Sequence, residues 1–124
     1  MLTDLTSFSQ NLIGYKAMDI KKYMSNNRSD MNLDKVNNKS FSYFKYSDKF
    51  DTQTILFFLT PDSVCKNIRI VCNNSIRSAK IKELDSVYTK TGDKTWTDKH
   101  SGKNCRVKLI DDDWSFSITI EPEK

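Results

Sequence analysis

The stretch Cys105-Arg-Val-Lys-Leu109, the acidic Asp111-Asp-Asp113, and the following Trp114-Ser-Phe-Ser-Ile-Thr-Ile120 decide the fold class. Cys105, Val107 and Leu109 alternate with Arg106 and Lys108, and Trp114, Phe116, Ile118 and Ile120 alternate with Ser115, Ser117 and Thr119. Successive side chains on a strand point to opposite faces, so this alternation predicts two half-buried antiparallel strands joined by a tight acidic turn. One face packs on a core and the other meets water. The phase places Trp114, Phe116 and Ile118 inward and turns Arg106, Lys108, Ser117 and Thr119 outward.

Upstream, the pattern divides into helices and strands. Leu5, Phe8 and Leu12, then Ile13, Ala17, Ile20 and Met24, recur at helical spacing over residues 5 to 24, and Gly14 between the two sets predicts a break before a second helix from about Lys16 to Ser25. Asn26 to Asp30 reads as a polar loop, and of the residues to Lys39 only Met31, Leu33 and Val36 could touch a core. Strands are expected over Phe41 to Tyr46, over the apolar run Thr54 to Thr60 and over Lys66 to Cys72. Asn73-Asn74-Ser75 offers cap chemistry for a helix bearing Ile76, Ala79, Ile81, Leu84, Val87 and Tyr88, which stops before Gly92. A short strand around Trp96 (Lys94 to Asp98), a turn at His100 to Asn104 and the C-terminal hairpin follow.

This order predicts a single α+β domain over residues 1 to 124, with a mostly antiparallel sheet of about five to six strands and its helices on one face. It also suggests an α-βββ duplication, residues 16 to 73 and 75 to 121. The expected core holds Ile20, Met24, Leu56, Phe58, Ile68, Ile70, Leu84, Val87, Val107, Leu109, Trp114, Phe116 and Ile118. At 124 residues, a chain of this kind buries roughly two thirds of its unfolded surface without staples.

Composition excludes more function than it suggests. The net charge of +4 comes from 20 basic and 16 acidic residues, but only four of the basic ones are Arg, the residue that phosphate and base readout favours. Three Cys, at 65, 72 and 105, match neither a redox pair nor a zinc site. Cys72 and Cys105 share the inward phase, as buried thiols or as a bridge, and Cys65 takes the other face. No run of 18 apolar residues predicts a transmembrane segment. The start Met1-Leu-Thr-Asp-Leu-Thr-Ser-Phe8 has neither a basic nor an apolar signal region, so the expectation is a cytoplasmic protein or a mature form behind an added Met.

Conventional catalysis lacks its parts. His100 is the only histidine and falls in a polar turn, no Gly-x-Ser-x-Gly elbow exists, and Gly14, Gly92 and Gly102 stand too far apart for a phosphate loop. Asp111 to Asp113 lacks the spaced oxygens of a calcium loop and reads as a hairpin turn. No enzyme activity, cofactor or metal is therefore expected. The remaining candidate is the exposed sheet face, with Arg69, Arg106, Lys108, Ser117 and Thr119 pointing outward, fitted to another protein or an acidic ligand. Stacking platforms for nucleic acid need aromatic rings on the open face, and the phase puts the rings inside, so nucleic acid is not expected. Oligomeric state has no sequence signal.

Gly14 followed by Asp19-Ile-Lys-Lys-Tyr-Met24, then Leu56-Phe-Phe-Leu59 with Cys65, Leu84 to Tyr88 and Trp114 to Thr119, resembles a group of small, uncharacterised, exported domains of Gram-negative bacteria. The layout is also similar to outer-membrane assembly lipoproteins and beta-lactamase inhibitor-like domains. The resemblance implies an extracytoplasmic, lipoprotein-like α+β module with no known activity, while the proteins of similar layout bind other proteins; it offers no functional residue to transfer, and the lipoprotein Cys is missing. The expected function is thus a non-enzymatic periplasmic or envelope-exposed interaction or structural domain. The alternative is a small cytoplasmic inhibitor or immunity-type protein.

Overall fold

The computed structural model describes residues 11–34, 43–50, 52–98 and 104–123. Their elements run α1 (Ala17–Asn27), β1 (Met31–Asp34), β2 (Tyr43–Asp48), β3 (Gln53–Leu59), β4 (Cys65–Asn73), α2 (Arg77–Val87), β5 (Thr89–Gly92), β6 (Thr95–Asp98), β7 (Cys105–Asp111) and β8 (Ser115–Pro122). All eight strands join one antiparallel sheet in the order β1-β2-β3-β4-β8-β7-β6-β5. The α+β class with an antiparallel sheet holds, and the strand count is eight rather than five or six.

Each helix is followed by a four-strand meander, and the two meanders meet where their last strands pair, Ile70 opposite Ile118. The element order is therefore α-ββββ twice, where α-βββ twice was expected. The two extra strands, Met-Asn-Leu-Asp and Thr-Lys-Thr-Gly, are the sheet's edges. Short edges resist pairing with other chains; Thr-Lys-Thr-Gly carries no apolar signature, and the alternation of Met-Asn-Leu-Asp lasts only four residues.

Gly14 supplies the turn into α1. Its φ of 90° lies in the left-handed region that only glycine enters freely, and its amide donates to the Cys65 carbonyl at 2.8 Å. Lys16 caps the helix from an extended conformation, bridging to Val64. Before α2, the Asn73 side chain accepts from the Ser75 amide at 2.9 Å, the cap expected there, and a 3-10 turn Asn74–Ile76 leads into the helix. Leu5, Phe8, Val36, Phe41 and His100, with the helix and turn expected there, lie outside the described residues.

The helices cover one sheet face. Ile20 and Met24 of α1 and Leu84 of α2 are buried in one cluster with Ile55, Phe57, Ile68, Ile70, Val107, Leu109, Phe116, Ile118 and Ile120. Phe116 is fully buried, whereas Trp114 is 88% exposed. The strand begins at Ser115, and the Asp112 amide closes the turn onto the Ser115 carbonyl, so the alternation stops one residue short of Trp114. Leu56 and Phe58 also depart from the expected core. Register with β4 places Ile55 beside Ile70 and Phe57 beside Ile68, which turns Leu56 and Phe58 to the opposite, half-buried face.

A β-bulge between Phe58 and Leu59 shifts the register so that Cys65 meets buried Leu59, and Cys65 joins the core rather than the other face. All three cysteines are buried and stand outside any disulfide. Cys72 lies level with Phe116 and Cys105 with Pro122, six residues apart along β8, or about 20 Å. A disulfide needs Cα atoms within about 7 Å, which rules out the Cys72 to Cys105 bridge.

Candidate functional site

The sheet's second face is the one turned from the helices. Following the register from strand to strand, one row of side chains on it runs Asp34, Lys45, Leu56, Arg69, Thr119, Lys108, Thr95. A parallel row runs Ser47, Thr54, Val71, Ser117, Ile110. On the other side of the first row, Tyr43 pairs with Phe58, and Glu121 with Arg106. The five candidate residues, Arg69, Arg106, Lys108, Ser117 and Thr119, therefore share this face. Arg69 is exposed and Arg106, Lys108 and Thr119 are half-buried, while Ser117 is buried between the larger Val71 and Ile110.

Arg28 is committed to a bidentate pair with Asp30 at 3.0 and 3.1 Å, and this hydrogen bonding holds the Asp30 carboxyl below its ordinary value. Arg77 and Lys94 converge on Asp111 at 2.8 and 2.7 Å. Those hydrogen bonds, Arg77's above all, hold Asp111 far below the usual carboxylate range. One carboxylate of the acidic turn is thus saturated by side chains. Among the described residues, no ion pair engages Arg69, Arg106 or Lys108; Glu121 stands opposite Arg106 without closing one. Lys45 has only a loose contact with Asp34, at 3.9 Å.

The inverted phase of β3 also brings rings to this face. Tyr43 and Phe58 pack with centroids 5.9 Å apart at an interplanar angle of 39°. The expectation that the phase puts the rings inside is corrected here at Phe58, as it is at Trp114. The central strands β4 and β8 add no ring to the face, since Phe116 points into the core.

Other perturbed titratable groups lie on the helix side of the sheet. Lys80 takes the inward place in α2 that Ala79 was expected to hold, one turn before Leu84. Burial lowers the Lys80 ammonium, against the attraction of Glu83 at 3.5 Å. Burial raises the Cys72 thiol to about 11 and the Tyr23 phenol to about 12, and moves Tyr88 upward further still. Trp96, 1% exposed, donates to Asp85 at 2.8 Å. Among the described residues no group of His, Cys, Asp and Glu is placed to hold a metal ion. A groove of about 430 Å³ between α1 and the β1 edge is lined by Met24, Arg28, Met31, Leu33 and Tyr46 among others. No helix among the described residues is long and apolar enough to cross a membrane.

Composition and alternation located Arg69, Arg106, Lys108, Ser117 and Thr119 on one face. They missed Lys45, Leu56, Phe58 and Tyr43, whose place depends on the pairing of β2 and β3. Comparison with known protein families, curated proteins and solved structures finds no match.

Proposed function

We propose that this chain is a non-enzymatic protein-binding domain that engages an acidic partner surface through the sheet face turned from its helices. One observation carries the reading. Of the four arginines, Arg28 and Arg77 have carboxylate partners, whereas Arg69 and Arg106 lie with Lys108 on one face and none of these three has one among the described residues. Unpaired cations on one surface complement a negative partner and speed its association more than they deepen its affinity. The half-exposed Leu56, Phe58 and Tyr43 beside them add apolar area that a protein partner could cover.

A binding role also agrees with where the perturbed groups lie. Lys80, Cys72 and Tyr88 are buried and none of them belongs to the candidate face. An extracytoplasmic location remains part of the proposal on resemblance alone, and fractionation of cells carrying the whole gene tests it. The binding role is tested by pull-down at low salt with wild type and with Arg106→Glu/Lys108→Glu. Acidic partners held by wild type and lost by a double variant that melts like wild type support the reading. Identical partners on both proteins contradict it.

A further inference from the structure

We infer that the element docked on this face is an acidic α-helix of the partner protein lying across the strands, its carboxylates two turns apart meeting Lys45, Arg69 and Lys108. The inference rests on the reading of the face as protein-binding and adds the shape of what it binds. In the row Lys45, Leu56, Arg69, Thr119, Lys108, every second position is a cation. Neighbouring strands lie about 4.8 Å apart, so the cations recur at about 10 Å. On an α-helix, residues i and i+7 share a face and are about 10.5 Å apart. Across the four strand intervals from β2 to β7 the row covers about 19 Å, and 14 helical residues cover about 21 Å. Long Lys and Arg side chains absorb the difference.

The alternatives keep a different period. On an extended acidic strand, same-face carboxylates recur about every 7 Å, out of step with this row. A single-stranded nucleic acid would seek rings along its path. Here the Tyr43 and Phe58 rings are half-buried, packed against each other at a tilt and confined to β2 and β3. Between the cations, Leu56 and Thr119 leave a low, partly apolar floor at the spacing of one helical turn, with Phe58 on one side and Val71 on the other. That profile suits the alternating acidic and apolar positions of a helix face.

The test uses the whole chain and three synthetic peptides of about 20 residues. The first is helical with Glu at i, i+7 and i+14 and Leu at i+3 and i+10; the second permutes the same residues; the third repeats the first with two central prolines. Fluorescence anisotropy at low salt reads the dissociation constants. The first peptide should bind about tenfold tighter than the other two, and Arg69→Glu or Lys108→Glu should weaken it about tenfold, whereas Arg106→Glu, off the row, weakens it less. Thermal melting by circular dichroism verifies folding, and Arg69→Gln and Lys108→Gln replace any variant that fails. Equal binding of all three peptides, lost alike on reversing Arg69, Arg106 or Lys108, overturns the helix and leaves an acidic partner standing. Binding untouched by every reversal, or tight capture of a single-stranded oligonucleotide that Phe58→Ala abolishes, overturns both.

Discussion

Arg69 and Lys108 stand on either side of Thr119, one strand away in each direction, on the sheet face turned from the helices. They come from the two different meanders, so only closure of β4 against β8 brings them together. Two like charges about 10 Å apart repel weakly in water, and this costs the fold little.

The placement of Phe116 and Trp114 gives opposite expectations for two neighbouring aromatic residues. Phe116→Ala empties a fully buried site on a central strand and should cost roughly 3 to 5 kcal/mol. Trp114→Ala removes a side chain that is 88% exposed and should stay within about 0.5 kcal/mol. Urea unfolding of both variants gives the comparison. Equal costs would place the start of β8 in the wrong phase.

Cys72 sets an alkaline limit on stability. Its thiol titrates at about 11 in the folded chain against 9.0 ordinarily, so the folded state holds the proton more tightly. The resulting stabilisation is complete below 9.0 and is lost as pH rises toward 11, amounting to roughly 3 kcal/mol at 1.36 kcal/mol per pH unit. Lys80 acts with the opposite sign, because its lowered value means that deprotonation relieves a burial penalty as pH climbs toward 10.5. Cys72→Ala should therefore flatten the alkaline loss and Lys80→Met should steepen it. Urea midpoints measured across this range check both, and an unchanged slope in Cys72→Ala would remove the thiol from the account.

The Lys80 and Glu83 pair is expected to be non-additive. Lys80→Met removes one charge from a buried pair and should cost about 3 kcal/mol, since Glu83 loses that cation. Adding Glu83→Leu should recover part of the loss. A double variant as unstable as the sum of its singles would show that the two charges do not depend on each other.

The sequence was most legible where alternation was strict. In β4, β7 and the body of β8, apolar and polar residues alternate over most of the strand, interrupted chiefly at Val71 and Ile110, and Ile68, Ile70, Val107, Leu109, Phe116 and Ile118 all reach the core. The run Ile55-Leu-Phe-Phe-Leu59 is apolar at every position, so it has no phase of its own and only pairing with Ile68 and Ile70 orients it. Edge strands such as Thr89–Gly92 bury almost nothing and leave no apolar trace. Lys80 sits inward because its long stem packs while its ammonium reaches Glu83, a placement that hydrophobic patterning cannot show. The basic side of the candidate face was readable from β7 and β8. Its aromatic side depended on the phase of β3.

The most direct test of the sheet face turned from α1 and α2 as the binding surface is an amide chemical-shift titration of the folded chain with the helical Glu peptide at low salt. Shifts concentrated at Arg69, Arg106, Lys108, Ser117 and Thr119, fading as salt is added, are the predicted result. Shifts gathered instead on α1, α2 or the Trp114 turn, with those five residues unmoved, would contradict it.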